Sequence, residues 1–187
     1  MAFFRFRFPV LLLFLLLVGC RAGGGGPSTP ARTVASFFSK YNGREGFNTT
    51  EWSADLLQRL ALVKAAKLLG GSELTNAITG IRAAKVISFA PTTDAARTLA
   101  REGLRQEASG ILVGNKYEAL SLGAAAGSDY QVSVRAAGDR VSEFAALGQL
   151  PDVADSFVLV AVDGNFTRAQ VQALAKYLPQ LVQATGK

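Results

Sequence analysis

The stretch YQVSVRAAGDRVSEFAAL, residues 130–147, constrains the fold more than any other part of this chain. Tyr130, Val132 and Val134 alternate with Gln131, Ser133 and Arg135. A period of two sends alternate side chains to opposite faces of a strand. Gly138-Asp139 interrupts the pattern. Glycine takes the positive φ that a two-residue hairpin needs at its first central position. Further on, FVLVAV (Phe157 to Val162) is an unbroken apolar run, which suits a central strand covered on both faces. Strands gathered late in a chain favour an antiparallel meander.

Helical periodicity appears before and after these strands. Val34, Phe37, Phe38 and Tyr41 share one helix face, and NGREG ends that helix with turn residues. FNTTEW reads as a short strand. Ser53 is the expected N-cap of a helix carrying Leu56, Leu57, Leu60 and Val63 on one side, with Gly70 and Gly71 as its stop. IRAAKVISFA is a strand halted by Pro91. Thr92 or Thr93 caps the next helix, with Asp94 near its positive end and Ala95, Ala96, Leu99, Ala100 and Leu104 facing the core. Lys116 to Leu122 reads as a further strand. Thr167 and Gln170 match a capping box, followed by Val171, Leu174, Ala175 and Leu178 on the packed face. The expected architecture is α+β: a two-layer domain, mainly antiparallel, with a meander in its C-terminal half and about four helices against one side.

The first residues obey different rules. Arg5 and Arg7 precede an uncharged apolar run from Phe8 to Val18, and Gly19-Cys20 closes it. A charged start, a short apolar middle and a small-residue end describe a secretory signal. At 1.5 Å per residue the run spans about 16 Å, half of a hydrocarbon core roughly 30 Å thick. LVGC (Leu17 to Cys20) resembles the bacterial lipobox. That resemblance implies cleavage before Cys20 and acylation of its sulfur and new amino terminus. The plain alternative is an ordinary signal peptide with an unrelated cysteine. One acyl chain holds a membrane marginally, whereas two or more hold it stably. RAGGGGPSTPA then serves as a tether reaching about 18 Å root-mean-square. The expected organisation is therefore a signal over 1–19, an anchor and tether over 20–31, and one domain over 32–187. Arg21, by analogy with lipoprotein sorting, points to the outer membrane over the inner one.

Composition narrows the chemistry. Loss of Arg5 and Arg7 lowers the formal charge from +6 to +4, a mild excess compatible with anionic lipid. No dense Lys/Arg block suggests nucleic acid as a partner. The chain has no histidine and a single cysteine. It can therefore build no disulfide, no histidine-dependent triad and no His/Cys metal site. S-x-x-K, G-x-S-x-G and P-loop motifs are also missing, and no cofactor is expected. Carboxylates remain. Asp152 and Asp155 are the nearest pair, and Asp163 is a third acid near a strand end. They read either as solvated loop residues or as the acids of a glycosidase, which needs two carboxylates about 5–10 Å apart.

The segment FFSKYNGREGFNTTEWSADLLQRL is similar to the start of a bacterial exported family, domain of unknown function 4252. YEAL (Tyr117 to Leu120) resembles its Tyr-Glu strand, and DRVSEFAAL and FVLVAVDGNFTRAQVQAL resemble its closing hairpin, strand and helix. The likeness covers roughly residues 35–178. It implies a lipoprotein or secreted protein and, since the family has no established activity, no catalytic residues.

Two function classes follow. One is a non-catalytic binding or structural module, anchored through Cys20 to a bacterial membrane and facing the periplasm or cell surface. Arg97, Arg101 and Arg105, at i, i+4 and i+8, are its candidate contact for anionic lipid or an acidic envelope protein. Like charges at that spacing repel by about 0.2–0.5 kcal/mol per pair, which a bound anion would offset. The plain alternative is a solvated face relieved by Asp94 and Glu102. The other class is a carboxylate-dependent, glycan-directed hydrolase. NTT at Asn48 and NFT at Asn165 match the glycosylation pattern, which in a bacterial lipoprotein reads as coincidence. Trp52 reads as a staple or core anchor.

Overall fold

The computed structural model describes residues 29–53, 71–122 and 130–185. Helix α1 (Val34–Tyr41) opens with a capping box in which Thr33 and Ser36 exchange side-chain and backbone bonds. Strand β1 (Phe47–Ser53) follows, then α2 (Gly71–Thr79) and β2 (Ile81–Phe89). Next come α3 (Asp94–Thr98), a π-helical segment (Leu99–Leu104) and α4 (Arg105–Gly114). The chain continues as β3 (Glu118–Ala119), β4 (Gln131–Ala137), β5 (Arg140–Gly148) and β6 (Phe157–Thr167), and ends in α5 (Arg168–Ala175) and α6 (Leu178–Thr185).

The strands form one six-stranded sheet in the order β1-β2-β6-β5-β4-β3, and every neighbouring pair is antiparallel. β4 and β5 are the expected hairpin, with Gly138 at φ 62° at its turn. The α+β class and the C-terminal meander therefore stand as expected. The layering differs from a helix cover on one side. Leu74 and Ala77 of α2, Val171 and Leu174 of α5, and Leu178 and Val182 of α6 pack on one face with Val86, Val132, Val134, Val158 and Val160. Phe37, Phe38 and Tyr41 of α1, Leu104, and Ile111 and Leu112 of α4 pack on the other with Ile87, Leu147, Phe157 and Leu159. The sheet is sandwiched between helices. β6 shows why: Phe157 and Leu159 serve one core, Val158 and Val160 the other, and all four are buried. An apolar side chain of that size favours burial by about 1.5–3 kcal/mol, so neither face can be left wet.

Aromatic rings lock α1 to the sheet. Tyr41 lies 4.7 Å from Phe37 and 4.8 Å from Phe47, and Phe47 lies 4.4 Å from Phe89. Such pairs add about 0.5–1.5 kcal/mol each beyond area burial. Trp52 stands on β1, half-buried against the first core, and acts as an anchor rather than a helix-start staple.

The helix expected from Thr93 does begin there, with the Thr93 side chain accepting from the Ala96 N–H. Its core face differs. Ala96, Ala100, Leu104 and Ala108 turn inward, while Ala95 and Leu99 are exposed. A spacing of four overshoots an α-helical turn by about 40°. The wider π turn at Leu99–Leu104 takes that back and holds the four residues on one side. The expected helix following Ser53, with Leu56, Leu57, Leu60 and Val63, lies outside the described residues. Ser53 is the last residue of β1, and Gly71 is the first residue of α2. The strand expected over Lys116 to Leu122 is reduced to the two residues of β3. No helix among the described residues is long and apolar enough to cross a membrane.

Candidate functional site

Cys20 and most of the expected tether lie outside the described residues. Ala31 and Arg32, just ahead of α1, are hydrogen-bonded into the folded domain. The Ala31 N–H donates to Glu107 Oε1 at 2.5 Å, and Asn115 Nδ2 donates to the Arg32 carbonyl at 2.9 Å. Glu107 also accepts from Lys40 Nζ at 2.8 and 3.0 Å and from Tyr41 Oη at 2.7 Å. The Lys40 and Glu107 side chains are only 9% and 11% exposed. Burial pushes the Glu107 carboxyl up. The Ala31, Lys40 and Tyr41 hydrogen bonds and the Lys40 charge outweigh it and hold the group below the ordinary carboxylate range. This clamp lines a groove of about 680 Å³ between α1 and α4. It fixes the position of Ala31 against α1 and α4.

The three arginines expected to form a contact surface are exposed along α3, the π-helical segment and the start of α4. They do not present three unengaged charges. Arg101 Nε and Nη2 donate to Asp155 Oδ1 and Oδ2 at 2.7 and 2.5 Å, a fork-to-fork pair. Arg97 Nε lies 3.8 Å from Asp94. For Arg105 no ion pair is found among the described residues.

Asp163 is not brought to the other two candidate acids. Asp152 and Asp155 occupy the β5–β6 loop in left-handed backbone, at φ 61° and 58°. The Arg101 hydrogen bonds hold the Asp155 carboxyl below its usual range. Asp163 lies far along β6 from that loop, since Phe157 to Asp163 rises about 20 Å at 3.3 Å per residue. That exceeds the span of a glycosidase pair.

Asp163 instead meets Glu143, its partner across β5 and β6. Partial burial and the Glu143 charge push the Asp163 carboxyl above the usual range, against Arg82, Lys85 and Arg135. Glu143 Oε2 accepts from Tyr117 Oη at 2.6 Å, and Glu143 Oε1 accepts from Arg135 Nη1 at 2.7 Å. The Arg135 guanidinium stands 4.9 Å from the Tyr117 ring centre. This charged cluster was missed from sequence for a definite reason. A regular two-residue hairpin would set Arg135 opposite Ser142. A bulge shifts the register and sets it opposite Glu143. Tyr117, in the YEAL segment, was the one visible signal.

Among the described residues, no three His, Cys, Asp or Glu side chains gather as metal ligands would. No curated protein and no solved structure matches the chain significantly. The family model described as Domain of unknown function (DUF4252) matches residues 41–174, from the last residue of α1 into α5, and the chain belongs to that family.

Proposed function

We propose that this chain is a bacterial envelope lipoprotein, held at a membrane by acyl groups on Cys20, whose folded domain acts as a non-catalytic binding module. The observation that carries the reading is the sequence of parts. An apolar run ends at Cys20, a Gly/Pro tether follows, and the domain grips the tether at Ala31 through Glu107. A clamp at that point defines the domain's stand-off from the bilayer, because only residues 21–30 remain to span it. The single cysteine and the absence of histidine leave the domain short of the usual nucleophiles and bases. The partners of such a module are the bilayer itself and an anionic or acidic component of the envelope. By Arg21 the outer membrane is favoured over the inner.

Metabolic labelling with a clickable fatty acid tests the reading. Wild-type protein should take up label and fractionate with membranes, and Cys20→Ser should lose both. Wild-type protein recovered unlabelled in the soluble fraction would overturn the anchor.

A further inference from the structure

Each break in strand register falls in one place. Ile81 and Ala83 of β2 face Gly164 and Asp163 of β6, which leaves Arg82 as an extra residue. Arg135 and Ala136 of β4 face Glu143 and Val141 of β5, which leaves Ser142 as an extra residue. Val141 and Glu143 face Phe166 and Asp163, so β6 carries an additional residue at Gly164–Asn165. β1 with β2 and β3 with β4 pair without a break. Bulges re-aim side chains and concentrate beside functional sites. Here Arg82, Ser142, Gly164 and Asn165 line one groove of about 630 Å³, together with Arg135 and Arg140.

Two of the three arginine charges in that groove are held but not neutralised by pairing. Arg82 Nη2 donates to the Gly164 carbonyl at 2.8 Å, and Arg140 Nη1 donates to Asn165 Oδ1 at 2.9 Å. Both acceptors are neutral. Neither arginine forms an ion pair among the described residues, though Asp163 feels the Arg82 charge. Arg135 is spent on Glu143, and its Nε is buried without a partner. Two guanidiniums from β2 and β5, on either side of β6, line the same groove, each held by a neutral oxygen with donors left for an oxyanion. Two unpaired positive charges match a dianion better than a single carboxylate, and the volume exceeds that of a bare ion.

We propose that the groove bounded by Arg82, Arg135 and Arg140 binds the phosphate group of a small phosphorylated molecule or lipid headgroup. The inference rests on the binding-module reading above but not on the Cys20 anchor.

The test is calorimetric titration of the full chain, purified in detergent, with inorganic phosphate and with glycerol phosphate at constant ionic strength. Acetate is the comparison. Phosphate and glycerol phosphate should bind saturably and acetate at least about tenfold more weakly, a difference of some 1.4 kcal/mol. The Arg82→Gln/Arg140→Gln double variant should lose about tenfold in affinity or more. Arg140→Gln alone, at the exposed hairpin tip, serves if the double variant fails to fold, and should weaken binding several-fold. Competition by vesicles of phosphatidic acid, whose headgroup is a phosphomonoester, assigns the ligand to a lipid headgroup. Phosphate binding that such vesicles leave unchanged assigns it to a free molecule. No binding, equal binding of acetate, or unchanged affinity in the variants would overturn the proposal. Labelled Cys20 without phosphate binding removes this inference alone. Phosphate binding with unlabelled Cys20 removes the anchor alone.

Discussion

Gly164 and Gly80 approach each other so closely that a Cβ on Gly164 would stand 2.5 Å from the Gly80 carbonyl oxygen. The approach is mutual, since a Cβ on Gly80 would stand 2.7 Å from the Asn165 carbonyl, and Asn165 N–H donates to Gly80 O at 3.0 Å. Neither glycine has a positive φ, so space and not backbone conformation demands them. The contact sets the end of β2 against the bulge of β6. It thereby places the two oxygens that hold Arg82 and Arg140.

Gly164→Ala should destabilise the domain. The new methyl would meet the Gly80 backbone and the Phe166 ring, which is fully buried and cannot swing away. Overpacking of this kind costs about 1–3 kcal/mol. At this size each kcal/mol lowers Tm by about 2–4 °C. Gly110→Ala, in α4 with nothing within 4 Å of the added Cβ, should instead raise Tm by helix propensity. Thermal melts of both variants check the contrast, and a Gly164→Ala protein as stable as wild type would contradict the close approach.

Much of this arrangement was legible in the chain, and what was hidden shares a cause. The period-two pattern around Val132 and Val134 and the turn at Gly138 locate the hairpin, because both are local. The apolar run Phe157–Val162 even reveals a strand buried on both faces. The helices were nonetheless expected against one side, because nothing local says which helix crosses to which face. The cluster at Glu143 and the groove at Arg82 depend on bulges, and a bulge moves a register without changing the sequence pattern that flanks it. The π turn at Leu99–Leu104 hid the inward face in the same way.

Glu107 makes the domain acid-sensitive at a defined group. Its folded-state carboxyl titrates below the ordinary value of 4.5. Its stabilising contribution is therefore complete above that value and is lost as pH falls through the depressed one. Glu107→Gln should lower Tm at neutral pH and flatten the acid limb of a Tm-against-pH curve. Glu107→Ala should be worse, since it strands the Lys40 ammonium, and breaking a buried pair costs about 3–5 kcal/mol. Parallel acid limbs for wild type and Glu107→Gln would show that the clamp does not carry the titration.

Tyr117 makes the opposite prediction at alkaline pH. Burial first, then its hydrogen bond to Glu143 and the Glu143 charge, raise its phenol well above the ordinary value of 10.0, with Arg135 opposing. The stabilisation is whole below pH 10 and is lost as pH rises above it. Tyr117→Phe should cost about 1 kcal/mol near neutrality through the lost bond. It should also make the alkaline decline less steep. Tyr41 is raised for a similar reason, by burial and Glu107, so the decline should shrink without vanishing. Absorbance titration of the phenolates alongside melts from pH 8 upward, as scaled by the ordinary tyrosine value near 10, checks both points.

The arginine row running from α3 through the π-helical segment into α4 yields the last prediction. Arg101 gives both of its donors on one edge to Asp155, and Arg97 lies near Asp94, so the row offers an approaching membrane less charge than its spacing suggests. Surface charges with a partner already in place are further screened at physiological salt, where the Debye length is about 8 Å. Replacing Arg97, Arg101 and Arg105 together by glutamine should therefore leave binding to anionic vesicles unchanged, in a co-sedimentation assay at that salt. A clear loss would assign the row to the bilayer, with Asp155 as the group that Arg101 leaves when lipid arrives. Asp155→Asn distinguishes the two cases: it frees Arg101 without removing it, and should strengthen vesicle binding only if the row is a membrane contact.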